Sequence, residues 1–154
     1  MDRRKNFFDM IGSLIPGYTG YAERDGRRNC DKMLRESIFT ELAAIEKIIY
    51  ERIITALSEK NKELAKQLEE IRKKINTFSS KVRYAPHGAS PFFSDNQIKE
   101  DELLQIYQVD YELLKLIKDL KNEITTSNPL EIKNLLALCL DIFSKRDNFI
   151  IQLK

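Results

Sequence analysis

Apolar residues recur along this chain three or four positions apart, in five stretches. The first is short. Phe7, Phe8, Ile11, Leu14 and Ile15 fall at i, i+1, i+4, i+7 and i+8 and give one apolar face to a helix over residues 6–15. The second stripe is Leu34, Ile38, Leu42, Ile45, Ile49, Ile53 and Ala56 or Leu57, and it predicts a helix that begins near Ala22. The third is Leu64, Leu68, Ile71, Ile75, Phe78 and Val82, in the alternating steps of four and three that make a coiled-coil seam. Leu103, Tyr107, Asp110, Leu114, Ile117, Leu120 and Ile124 predict a fourth helix, from Lys99 or Glu100 to Thr125. Asn128-Pro129 opens the fifth, with Pro129 at the first helical position. Its face is Ile132, Leu135, Leu136, Cys139, Ile142, Phe143, Phe149, Ile150 and Leu153.

The interruptions decide the connections. Pro16 presets φ for the first turn position and Gly17 supplies a positive φ for the second, so Ile15–Tyr18 suits a type II turn. Tyr18 and Tyr21 flank Gly20, and their rings are expected to pack while their hydroxyls find partners. Gly26 falls in the first turns of the second helix, where it costs about 1 kcal/mol relative to Ala and permits another backbone to come close. No Gly or Pro then occurs until Pro86. Ser58-Glu-Lys-Asn-Lys-Glu63 is uniformly polar and points to a tight helix–helix turn near Ser58–Asn61, hence a long antiparallel hairpin. Leu57 and Leu64 are seven apart, so one continuous helix of about 60 residues, roughly 90 Å long, is the alternative. Pro86, Gly88 and Pro91 end the third helix, and Phe92 and Phe93 turn part of the following loop inward. A loop of that length often carries function.

The expected fold is all-α: an antiparallel four-helix bundle with a long helical hairpin and a short N-terminal helix packed across it, as one domain over residues 1–154. An apolar fraction of 42% and a charged fraction of 32% fit such a chain. No apolar run is long enough to span a membrane, and no signal-peptide cleavage pattern follows the N-terminus. The net charge is only +2, but residues 1–35 carry a surplus of three positive charges, leaving −1 for the rest.

Candidate chemistry is sparse. Two cysteines, Cys30 and Cys139, make neither a disulfide framework nor a zinc pattern, and suggest a reducing cytoplasmic setting. A di-iron bundle needs two Glu-x-x-His motifs, and the only histidine is His87. The Pro-Gly-Tyr-Thr-Gly stretch matches neither a dinucleotide fingerprint nor a phosphate-binding loop. No metal or cofactor is expected. Cys139 lies on an apolar face and reads as a small hydrophobe. Cys30 neighbours Arg27, Arg28 and Lys32, which would lower its pKa. The basic residues Arg24, Arg27, Arg28, Lys32 and Arg35 are interleaved with Glu23, Asp25, Asp31 and Glu36, the pattern of a solvated helix face rather than of a nucleic-acid surface.

Asp110 is the one acid set squarely on an apolar stripe. A buried carboxylate needs a partner. The candidates are the arginines of the two irregular segments, so a carboxylate–guanidinium contact is expected from Asp110 to Arg24, Arg27, Arg28 or Arg83. The candidate binding residues are therefore Tyr18, Tyr21, Arg24, Arg27, Arg28, Arg83, Tyr84, His87 and Asp110.

Ile15-Pro-Gly-Tyr-Thr-Gly-Tyr21 with its Arg/Glu-rich continuation, and Val82-Arg-Tyr-Ala-Pro-His-Gly88, resemble segments of a group of small bacterial helical proteins that carry an IPGYxGY element and a later RYAxxG loop. The chain departs from that pattern at Asp25-Gly26 and at Ala89-Ser90-Pro91. The resemblance implies no enzymatic activity. It implies a helical accessory protein, with a link to membrane-associated scaffolds.

Three functions follow as expectations. The first is a non-enzymatic interaction or scaffold protein, working with a protein partner or as a homo-oligomer. The second is an adaptor at the inner face of the membrane, held there by Arg3, Arg4, Lys5 and the amphipathic residues 6–15. The third is a protein that binds a small anionic ligand around Asp110 and the arginines.

Overall fold

The computed structural model describes residues 3–84, 91–93 and 98–153. Their regular secondary structure is all helical, with no strand among them. The helices are α1 (Arg3–Leu14), α2 (Arg27–Ser58), α3 (Lys62–Arg83), α4 (Glu100–Glu123) and α5 (Pro129–Gln152), with 3-10 turns at Arg24–Gly26 and Pro91–Phe93.

Each helix forms where its apolar stripe predicts, and the buried residues of the five make one core. The second helix starts later than Ala22, because the poor helix formers Asp25 and Gly26 are used in a 3-10 turn instead. Its hairpin with α3 is real. Lys60 adopts the left-handed conformation at φ +61°, and the Asn61 side chain accepts the Leu64 N–H at 3.2 Å, so one helix stops and the next is capped within three residues. Asn128 caps α5 in the same way, accepting the Glu131 N–H at 2.9 Å. At the end of α4 the cap comes from another helix: Arg52 Nη1 of α2 donates to the carbonyls of Ile124 and Ser127 at 2.9 and 3.0 Å.

Within each hairpin, α2 with α3 and α4 with α5, the helices are antiparallel neighbours. Between hairpins they run parallel. Glu41 meets Lys121 and Arg52 meets Ile124, which sets α2 along α4; Glu70 meets Lys133 and Phe78 meets Phe143, which sets α3 along α5. The helix α1 lies on α4, with Ile11 fully buried and the rings of Phe7 and Phe8 5.8 and 5.7 Å from those of Tyr111 and Tyr107. Phe7, Phe8 and Ile11 are thus spent on the core, while Leu14, expected on the same face, is 40% exposed.

The segment after α1 turns as its composition demands. Tyr18 N–H donates to the Ile15 carbonyl at 3.2 Å, with Gly17 at φ +85°. The tight glycine is Gly20, at φ +83°: a Cβ there would stand 2.5 Å from Tyr107 Oη and 2.7 Å from Phe8 Cε2. The close approach expected at Gly26 does not occur, since a Cβ there would meet only Thr19 Oγ1 at 3.7 Å.

Candidate functional site: a buried ionic cluster

Asp110 is fully buried on α4, as its place on the stripe requires, but its cation is not the expected one. It pairs with Arg146 of α5, Nε to Oδ1 at 2.5 Å, and both side chains have no exposed surface. None of Arg24, Arg27, Arg28 and Arg83 pairs with Asp110. Arg24 contacts Asp25 at the surface, and Arg28 lies over the Phe93 ring at 5.2 Å. Arg83 lies over Phe39 at 5.0 Å and beside the exposed Tyr84. Arg27 is buried near the cluster, but its Nε donates to the Tyr21 carbonyl at 2.8 Å and its Nη1 to that of Phe92 at 3.2 Å. His87 lies outside the described residues.

The two tyrosines do converge on Asp110. Tyr21 Oη donates to Oδ2 at 2.6 Å and Tyr18 Oη to the same oxygen at 3.3 Å. Tyr107 Oη accepts the Tyr21 N–H at 2.9 Å, so α4 grips both the ring and the backbone of the turn. The rings of Phe8, Tyr18, Tyr21, Tyr107 and Phe92 pack edge-on or tilted around these hydroxyls.

The cluster continues through Arg146. Its Nη2 donates to Tyr21 Oη at 2.9 Å and to Asp31 Oδ1 at 2.7 Å. Asp31 takes Arg35 Nε on its other oxygen at 2.9 Å. Arg35 reaches the Val82 carbonyl at the end of α3 and Asp147 of α5, both at 2.8 Å, and stacks over the Phe143 ring at 5.2 Å. Asp31 and Arg35 are therefore buried, as is Arg27, and only the rest of that interleaved segment forms the solvated face expected for all of it. One end of α2, α3, α4 and α5, together with the tyrosine turn, is held by a single hydrogen-bonded chain of charges.

Its electrostatics follow from burial. Desolvation raises the Asp110 carboxyl above its usual range, against the opposing pull of Arg146 and the Tyr21 hydrogen bond. Burial alone would lower Arg146, but Asp110, Tyr21 and Asp31 more than reverse this and fix it as a cation. Burial, and then the negative neighbours, hold the phenols of Tyr18 and Tyr21 far above their ordinary range. Cys30, expected to be an activated thiol, is the reverse. It is fully buried, and desolvation followed by the Asp110 charge pushes its pKa up to about 12. Cys139 is likewise buried and pushed up to about 12.

Chemically, the arrangement fixes structure. The donors of Arg146 and the oxygens of Asp110 are turned on one another in a space closed to solvent, and the thiols are protonated and covered. No group of His, Cys, Asp and Glu able to hold a metal occurs among the described residues. Compared with known proteins, the chain matches no family model, no curated protein and no solved structure.

Proposed function

We propose that the protein is a non-enzymatic helical interaction module that pairs through the outer face of α2. The observation that carries this is a row of three large apolar side chains left in solvent. Tyr50, Ile54 and Leu57, at i, i+4 and i+7, are 50%, 51% and 54% exposed, while their neighbours Ile49, Ile53 and Ala56 fill the core. The last position of the stripe, open in the sequence between Ala56 and Leu57, is filled by Ala56; Leu57 lies one position past it and belongs to the outer row. Exposed Lys47 and Glu51 flank that row. An apolar stripe with charged flanks at helical spacing is the surface by which one helix meets another. Three side chains make a short seam, so a weak, concentration-dependent association is expected.

Light scattering on a sizing column, over a range of concentrations, tests self-pairing. The wild-type chain should associate as concentration rises, and Ile54→Glu should remain monomeric with unchanged helicity. A wild-type chain that is monomeric at every concentration would remove the homo-oligomer from this reading. The membrane adaptor has less support, because Phe7, Phe8 and Ile11 of α1 are already packed on the core and Leu14 is the large apolar side chain of α1 left exposed.

A further inference from the structure

A second surface feature lies away from both the ionic cluster and the α2 row. Between the parallel helices α2 and α4 runs an open groove of about 570 Å³, within the size range of small-molecule sites. Leu14 of α1 adds to its lining. Ile48, Leu114 and Ile117 give it apolar surface, and Ser37, Asn122 and Thr125 complete its lining. From Ser37 to Ile48 is eleven positions, roughly 16 Å at helical rise.

Three charges border it. Glu41 of α2 and Lys121 of α4 neutralise each other across the groove at 3.0 Å. Lys118, three residues earlier and exposed, has no carboxylate partner among the described residues. The groove therefore offers an apolar bed with one uncompensated positive charge at its edge. The Glu41–Lys121 bridge also limits what can enter. A helix, roughly 10–12 Å across with its side chains, would have to break the bridge to reach the floor, so a narrower ligand suits the groove better.

We infer that this groove binds a single-chain anionic amphiphile, its hydrocarbon tail on the apolar lining and its carboxylate on Lys118. Tail burial supplies the affinity, and the head group supplies the sign preference.

Titration of the full-length protein with dodecanoate below its micellar concentration, followed by backbone amide shifts, tests this. Dodecyltrimethylammonium and a dodecanoate titration of Lys118→Glu are the comparisons. Saturable shifts confined to residues around the groove are expected. Affinity should fall about two- to fivefold for the cationic amphiphile and for Lys118→Glu, the scale of one exposed ion pair. Lys118 is at the surface, so that variant should melt as the wild type does. Ser37→Phe, which fills the groove, should abolish the shifts; its fold is checked by helicity. Absence of binding, equal binding of both head-group charges, or shifts centred on Tyr50, Ile54 and Leu57 would each overturn the inference. The self-association of the α2 row is read separately, so the two can fail independently.

Discussion

Asp110 sits at 0% exposure with three donors on its two oxygens, and the stability of one end of the molecule depends on that arrangement. Asp110→Ala leaves Arg146 buried without its principal anion and should cost about 3–5 kcal/mol in urea unfolding. Tyr21→Phe removes one donor to Asp110 and one of the two acceptors of Arg146 Nη2, and should cost less, about 1–3 kcal/mol. A second expectation concerns alkali. The Cys30 and Cys139 thiols ionise at about 12 when folded and near 9 when free, so the folded chain keeps protons that the unfolded chain releases. Their contribution is complete below pH 9 and is lost as pH rises through about 12; it is on the order of 4 kcal/mol for each thiol. The raised phenols of Tyr18 and Tyr21 act in the same direction. The urea midpoint should fall steeply between pH 9 and 12, and less steeply in a Cys30→Ala, Cys139→Ala variant. At this scale the sequence was half legible. An acid on an apolar stripe announced Asp110 as buried. Its partner was hidden in Ser144-Lys-Arg-Asp147, a polar run of solvent-facing composition. The signal was there in register, since Cys139, Phe143, Arg146 and Ile150 step by four, three and four.

The elements themselves were the most legible part, because a stripe of aliphatic residues over five or more turns admits only one placement toward a core. Their ends depended on single residues. The hairpin between α2 and α3 competed with one continuous helix, and periodicity could not separate them, since Leu57 and Leu64 keep the heptad. Lys60 settles it, in a left-handed conformation that a Cβ disfavours. Lys60→Gly should therefore stabilise the protein by up to about 1 kcal/mol, read as a higher melting temperature with unchanged helicity. Had Lys60 instead served as a helical residue, the same change would cost about 1 kcal/mol. The direction of α4 against α2 was not legible, because direction is set by which ends meet. Those meetings are made by polar pairs such as Glu41 with Lys121 and Arg52 with the Ile124 carbonyl, whose partners lie 72 or more positions apart.

For the whole molecule, the parallel pairing of two hairpins means that α3 and α4, consecutive in the chain, are not neighbours in the bundle, whereas α2 and α4 are. Each hairpin is assembled from contacts close in sequence. The ionic chain joins Tyr18 to Asp110 over 92 positions, Asp31 to Arg146 over 115 and Tyr21 to Arg146 over 125. Loop closure over such spans is unfavourable until other packing has narrowed the search, so contacts of this kind form late. The order in which the chain folds thus follows from where its charges lie. In stopped-flow measurements Asp110→Asn should leave the refolding arm of the chevron almost unmoved and raise the unfolding rate by nearly the whole of its destabilisation. A substitution inside the first hairpin, such as Ile71→Val, should slow refolding instead. The cluster that looks like a site would then act as a clasp: it does not guide the chain to its native form, and it governs how long the chain stays there.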